Sequence, residues 1–197
     1  MLEEEYQPRR VLPPHLRPAT PQEPPFSYVI RDATEHDLPS VREIYNYYVT
    51  NSTVTFDEKR MSLPQWRSKF QWLQKLKMPF LVAESANNGD LLGYALVQPW
   101  KQKAGYRYTV EDSIYLGPAA TSKGLGRALL AALIERSREA GLREIIAMIA
   151  DQGAEASIAL HKSFGFAETG RMGRVGFKFG RWLGIVMLQL SLKKRGG

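Results

Sequence analysis

The stretch from Thr109 to Gly141 constrains the fold more than any other part of the chain. Thr109 to Leu116 has the length and the β-branched and aromatic content of a strand, with Glu111, Ser113 and Tyr115 on one face and Asp112, Ile114 and Leu116 on the other. Gly117-Pro118 stops it. Thr121-Ser122-Lys123-Gly124-Leu125-Gly126-Arg127 then opens a helix in which Leu125, Leu129, Ala132, Leu133 and Arg136 recur three or four apart, up to Ala140-Gly141. The unpaired N–H groups of a helix start carry partial positive charge, and glycines let an anion approach without a Cβ in the way. With Lys123 and Arg127 alongside, the loop reads as a pyrophosphate cradle; a plain tight turn is the alternative for so short a motif. Two other phosphate loops are excluded. There is no Gly-Lys-Ser or Gly-Lys-Thr pair, and a G-x-G-x-x-G pattern fails at Leu129.

The flanking patterns complete the fold class. A strand-like run, Phe26 to Ile30, leads into Thr34 and Asp37, spaced as a capping box, and then into Leu38, Val41, Ile44, Tyr45 and Tyr48 at helical spacing up to Asn51. A second helix starts at Ser62, with Gln65 three residues on, carries Trp66, Phe70, Leu73 and Leu76 on one face, and ends at Pro79. Phe80 to Ala83 and Leu91 to Val97 are predicted as a hairpin across Asn87-Asn88-Gly89-Asp90. Beyond the central helix come a strand, Glu144 to Ile149, and a short helix, Ala154 to Phe164, capped by Gly165. Strands from Ala167 to Met172 and Ile185 to Leu192 flank a loop over Val175 to Gly184. The order β-α-α-β-β-β-α-β-α-β-β is that of a mixed α/β (α+β) fold, neither a doubly wound sheet nor a bundle.

With 197 residues the chain suits one core. Seven of its twelve prolines lie within residues 1–25, which predicts an extended arm, a folded domain over 26–192 and a basic tail over 193–197. The absence of cysteine excludes disulfides, thiolate metal sites and a cysteine nucleophile. The three histidines are scattered, so no metal site is expected. No apolar run approaches a membrane span, and the acidic start followed by prolines lacks the plan of a secretory signal, so a cytoplasmic setting is expected. The net charge of +7 is unevenly placed: residues 159–197 hold eight Lys and Arg against one acid, and the rest balances. Such a cluster fits a nucleic-acid-binding module or an enzyme with an anionic ligand.

Ser113-Ile114-Tyr115-Leu116 with the Gly124-Leu125-Gly126 loop, and Ser157-Ile158-Ala159-Leu160-His161 with Phe164-Gly165-Phe166, resemble the acetyl-CoA-binding core of the GNAT N-acetyltransferases. Further segments are similar to the phosphinothricin and methionine sulfoximine/sulfone acetyltransferase branch: Ile30 to Thr34 with Asp37, Ile44-Tyr45-Asn46, Thr53 to Phe56, Tyr106 to Glu111, and Val175 to Trp182. The resemblance spans nearly all of residues 28–192 and implies a GNAT fold, a splayed, mixed, mostly antiparallel sheet flanked by helices. It implies acetyl-CoA as co-substrate, with pantetheine beside Tyr115 and Leu116, pyrophosphate over Lys123, Gly124, Leu125, Gly126, Arg127 and Ala128, and further contacts from Ser157, His161 and Phe164. Four positions depart from the family pattern: Thr121 before the glycines, Ser122 in place of a glycine, Ala154 in place of an Asn, and Gly184 in place of an Asp.

Amine acetylation needs a base for the ammonium proton. From spacing alone Glu111 reads equally as that base or as a partner of Arg107; its place in the Thr-Val-Glu motif implies the base. Asp112, on the opposite face, reads as structural. His161 stands where many GNAT enzymes have a tyrosine that protonates the leaving sulfur, which implies an acid role, whereas the residue itself reads as a helix histidine bonded to a backbone carbonyl. An amino-acid acceptor needs a cation for its carboxylate, for which Arg107 and Thr109 lead, with Lys178 or Arg181 on a closing loop and Phe56, Tyr106 and Trp182 as walls. The branch implies a homodimer, with Phe177, Phe179 and Trp182 as an alternative contact surface. The implied reaction is acetyl transfer from acetyl-CoA to the α-amine of a small amino acid or analogue; a GNAT enzyme for a polyamine or a protein N-terminus is the second enzyme reading.

Overall fold

The computed structural model describes residues 26–192; the expected arm and tail lie outside the described residues. In chain order the elements are β1 (Tyr28–Asp32), α1 (Leu38–Asn51), α2 (Leu63–Lys75), β2 (Phe80–Ser85), β3 (Leu91–Pro99), β4 (Thr109–Leu116), α3 (Leu125–Glu139), β5 (Glu144–Ala150), α4 (Glu155–Ser163), β6 (Ala167–Lys178) and β7 (Arg181–Ser191). The strands form one sheet in the order β1-β2-β3-β4-β5-β7-β6. All neighbours are antiparallel except β4 and β5.

Strand alternation sends side chains to two helical layers. Val82, Tyr94 and Leu96 pack on Leu38 and Val41 of α1 and on Trp66, Phe70 and Leu73 of α2. Leu81, Ala95, Val97, Val110 and Ile145 pack on Leu125, Leu129, Leu130 and Leu133 of α3. Each such leucine is fully buried, a contribution of about 1.5–3 kcal/mol apiece. The α2 cap has the expected form, the Ser62 N–H donating to Gln65 Oε1 at 2.7 Å and the Gln65 N–H to Ser62 Oγ at 3.4 Å. The helix ends earlier than Pro79: Lys77 turns to φ 55°, and Leu76, expected on the apolar face, is exposed.

The larger difference lies at the C-terminal end. The expected loop over Val175 to Gly184 is instead the tip of a long hairpin, with Gly176 paired to Leu183, Phe177 to Trp182 and Lys178 to Arg181. Phe179 and Gly180, both at positive φ (50° and 73°), make the two-residue turn whose twist suits adjoining strands. The ladder slips between Met172 and Gly176, and Arg174 takes φ 56° inside that irregularity. A run broken by Gly173, Gly176 and Gly180 reads locally as a loop, and cross-strand pairing overrides that preference.

Candidate active site

The sheet opens at its centre. β4 and β5 pair only through Thr109 with Glu144, Val110 with Ile145 and Glu111 with Ile146. β4 then stays with β3 as far as Leu116, and β5 stays with β7 as far as Ala150, so each half-sheet keeps its ladder while the two part. From Asp112 to Leu116 one backbone edge of β4 therefore faces a gap. A cleft of about 800 Å³ fills it, lined by Glu111 to Leu116 on one side, Ala147 to Ala150 on the other, and Ser157, Leu160 and His161 of α4.

At the open end of the cleft sits the start of α3. Gly124 is its N-cap at φ 78°, a left-handed conformation that favours glycine, and its carbonyl accepts from the N–H groups of Arg127 and Ala128. The N–H groups of Leu125 and Gly126 belong to the first turn, which has no intrahelical acceptor. Gly126 lines the cleft, where a Cβ would meet Leu116 and Leu160 at 3.5 and 3.6 Å, so the backbone there stays accessible. Arg127 holds Ser163 Oγ at 2.9 Å and lies over the Phe164 ring, and Lys123 lies over Phe26.

Glu111 marks the apex, at the last paired position of β4. Burial raises its pKa, the neighbouring Asp112 charge adds to this, and Lys69 and Lys101 pull it back. The cleft is further lined by Tyr48, Val54, Thr55, Phe56, Trp100 and Lys101. Tyr115 stacks on Tyr94 at 5.4 Å and meets Tyr45 and Tyr48 at 5.3 Å, and burial pushes its hydroxyl up to about 12. The Tyr48 hydroxyl donates to the Leu116 carbonyl at 2.8 Å, tying α1 to the strand end.

A half-split mixed sheet with a glycine-opened helix at its gap is a restricted arrangement, and residues 30–187 match the family profile described as an acetyltransferase (GNAT) domain. The chain belongs to the GNAT acetyltransferase family. It is 44% identical over 167 residues to an L-methionine sulfoximine/L-methionine sulfone acetyltransferase of Pseudomonas aeruginosa, covering 85% of this chain and 96% of that protein. It is 38% identical over 163 residues to a phosphinothricin N-acetyltransferase of Alcaligenes faecalis, covering 83% and 82%. Among solved structures, a GNAT superfamily phosphinothricin acetyltransferase from Sinorhizobium meliloti in complex with acetyl-CoA superposes with a TM-score of 0.79 at 39% identity, covering 83% of this chain and 88% of that one. Among the described residues no helix is long and apolar enough to cross a membrane.

Within this GNAT domain the geometry brings Phe56, Glu111, Tyr115, Leu116, Gly126, Ser157 and His161 into one cleft. Other expected residues stand elsewhere. Lys178 is not a free cation on a closing loop: it is 1% exposed, and its ammonium donates to the carbonyls of Ser52 and Thr55, both at 2.7 Å. Strand parity explains this. Gly176 and Lys178 point inward, Gly176 against the Phe56 ring, while Phe177 and Trp182 form an exposed edge-to-face pair at 5.4 Å. Trp182 thus walls no part of the cleft within this chain. Tyr106 and Arg107 sit on the exposed β3–β4 connection, Arg107 bonded to the Ala104 carbonyl at 3.1 Å and lying over Tyr108. Thr109 shares the Glu111 face at the start of β4 and pairs with Glu144.

His161 has the backbone-carbonyl bond of its plainer reading. It is 4% exposed, with Nδ1 on the Ser157 carbonyl at 2.7 Å and Nε2 on Asp112 Oδ2 at 2.9 Å, so both nitrogens are engaged. Sequence reasoning missed Lys69, Trp100, Lys101 and the Asp112 contact. Lys69 follows Trp66 by one helical turn and lies over its ring, on the flank of the α2 apolar face, a spacing that marks it only in hindsight. The Gly184 departure has a local cause: its N–H donates to Asp151 Oδ1 at 2.9 Å, and a Cβ there would strike that carboxylate and the Met172 carbonyl.

Proposed function

We propose that the chain transfers the acetyl group of acetyl-CoA to the α-amine of a small amino acid or analogue, of the kind represented by methionine sulfoximine, methionine sulfone and phosphinothricin. The observation that carries this reading is the position of a half-buried carboxylate, Glu111, at the closed end of a gap whose open end meets the glycine start of α3. Five residues separate Glu111 from Leu116, about 16 Å along a strand, a span suited to an extended pantetheine arm. The exposed backbone edge of Asp112 to Leu116 offers that arm hydrogen bonds, and the first turn of α3, with Lys123 and Arg127, offers its pyrophosphate N–H groups and charge. Ser157 of α4 and Phe164, just past its end, flank it.

The amine arrives as an ammonium and loses one proton to Glu111, directly or through water. The neutral nitrogen attacks the thioester carbonyl, the C–S bond breaks, and the second nitrogen proton balances the one taken by the departing sulfur. A carboxylate with a raised pKa is the better base for this purpose, because its proton affinity is closer to the working pH. Lys101, with Thr109 at the start of β4, supplies charge and a donor for the acceptor carboxylate, and Phe56 and Trp100 confine its side chain. A two-fold homodimer in a cytoplasmic setting belongs to the same reading; the exposed Met172, Val175, Phe177, Phe179 and Trp182 supply an apolar surface for it.

The test is acceptor-dependent release of CoA thiol, with the product identified by mass. Methionine sulfoximine, methionine sulfone and phosphinothricin are compared with polyamines and peptides. Turnover confined to the amino-acid analogues supports the proposal. Turnover only on polyamines or peptide N-termini transfers the chain to the second enzyme reading, and no turnover with any amine removes the first.

A further inference from the structure

A second cavity opens beside the acceptor end of the cleft. It has a volume of about 690 Å³ and lies between Trp72 of α2 and the end of β3 with the connection beyond it, which contribute Gln98, Trp100, Lys101, Lys103 and Tyr106. Trp100 and Lys101 line this groove and the cleft alike, so the two spaces adjoin. The Trp100 N–H donates to the Thr109 carbonyl at 3.1 Å, which fixes the start of the connection.

The sheet explains why the two spaces meet beside Glu111. β3 and β4 pair Tyr94 with Tyr115, Leu96 with Ser113 and Gln98 with Glu111. Directly opposed residues of an antiparallel pair share a face, with Cβ atoms about 5 Å apart. Tyr94 and Leu96 pack toward α1 and α2, so Gln98 and Glu111 lie on that face too. Glu111 lines the cleft and Gln98 lines the groove. An acceptor with its amine at Glu111 therefore reaches Gln98 with a side chain of about methionine's length, and a longer one enters the groove.

The lining selects the kind of tail. Trp72 and Tyr106 are each 44% exposed, and neither meets another ring among the described residues. The Lys101 ammonium lies 4.5 Å from the Trp100 ring centroid. Rings left open in this way take a planar group by stacking or edge contact. The charged residues of the groove are Lys101 and Lys103, with no carboxylate beside them, and neither makes an ion pair among the described residues. That balance favours an anionic tail and opposes a cationic one.

We propose that this groove is an acceptor subsite for α-amino acids whose side chain extends beyond methionine's length and ends in an aromatic ring bearing an anionic group. Trp72 and Tyr106 hold the ring and Lys103 meets the anion, while Lys101 stays with the acceptor carboxylate. The inference rests on the reading of the cleft as an amino-acid acceptor site and extends its substrate class.

Three γ-glutamyl amides test it, because all carry the same amino-acid head. The ethylamide has neither ring nor anion, the anilide has the ring, and the 4-carboxyanilide has both. The anilide should exceed the ethylamide in kcat/KM by roughly five- to tenfold, the size of one aromatic contact. The 4-carboxyanilide should gain a further two- to fivefold, as expected of an exposed charge pair. Trp72→Ala, at a half-exposed helix position, should reduce the ring's advantage to about twofold or less and leave methionine sulfone within about twofold. Trp72→Phe should recover part of it. Lys103→Gln should abolish only the gain from the carboxylate.

An anilide no better than the ethylamide, or an advantage that survives Trp72→Ala, overturns the subsite. A carboxylate gain that survives Lys103→Gln overturns the assignment of Lys103. Calorimetric titration of the 4-carboxyanilide into the CoA-bound protein reads the groove without turnover: a Kd raised about fivefold or more by Trp72→Ala supports it, and an unchanged Kd or no binding overturns it. Absence of acetylation of every amino acid, methionine sulfone included, removes the underlying reading, and the titration still judges the groove.

Discussion

Lys178 is the sharpest place to test the side-chain geometry, because the sequence pattern and the structure assign it different work. Its ammonium makes two hydrogen bonds of 2.7 Å, to the carbonyls of Ser52 and Thr55, in a site 1% exposed. Replacing it with Met keeps most of the stem packing and strands both carbonyls. Leaving a buried carbonyl without a donor costs about 1–3 kcal/mol, twice over here, and relief of the ammonium's desolvation offsets part of this, leaving a net loss of about 2–4 kcal/mol. The burial that lowers the Lys178 pKa is the same desolvation. For a chain of this length that loss is roughly 4–16 °C in Tm. Thermal unfolding followed by circular dichroism should show it, with at most a modest rise in acceptor KM from loosening of Thr55 and Phe56. An unchanged Tm with a KM raised tenfold or more would refute the brace and restore Lys178 as a carboxylate-binding cation.

Three further outcomes are expected. Glu111→Gln should lower kcat by about 10²-fold or more while the Kd for acetyl-CoA, measured by calorimetry, stays within about twofold; loss of both together would place Glu111 in cofactor binding. Gly184→Ala should destabilise the protein by about 1–3 kcal/mol in urea unfolding, because the added Cβ meets both the Asp151 carboxylate and the Met172 carbonyl, and Asp151→Ala in the same background should recover part of the loss. Asp37 is opposed by burial but held ionised by Arg31 at 2.7 and 2.8 Å and by the Thr34 N–H at 2.7 Å, so its pKa is lowered. Its contribution is present above the unfolded carboxylate value near 4 and is lost as pH falls through the lower folded value. Asp37→Asn should therefore cost about 1–2 kcal/mol at pH 7, a difference that urea titrations at pH 7, 4 and 2.5 should show shrinking toward acid.

Legibility in the sequence followed the range of the interactions involved. The span of β4 and the capping box of α2 rest on local alternation and local hydrogen bonds, and both stand where the pattern puts them. The glycine start of α3 is local in the same sense, since one left-handed residue defines it. The β6–β7 tip turns at Phe179-Gly180, which lacks the Asn-Gly or Asp-Gly pair that marks such a turn in a sequence, so the pairing of Phe177 with Trp182 is not legible from residue type. Read as a loop, the segment puts Lys178 and Trp182 in the acceptor site, whereas parity within the ladder decides which side chains turn inward. The Asp112–His161 contact spans 49 residues of sequence and crosses from strand to helix. Alternation set Asp112 apart from Glu111 but could not say what it met. Lys69 and Lys101 reach the surroundings of Glu111 from a helix and a loop that only the tertiary fold brings together.

The central claim is that the gap between β4 and β5 receives acetyl-CoA. Backbone amide hydrogen exchange with and without acetyl-CoA tests it most directly. Protection should rise at Asp112 to Leu116, at Lys123 to Ala128 and at Ala147 to Ala150, while the β1–β2 edge stays unchanged. Unchanged exchange across the gap with protection appearing on another face, at an acetyl-CoA concentration that supports turnover, would contradict the account.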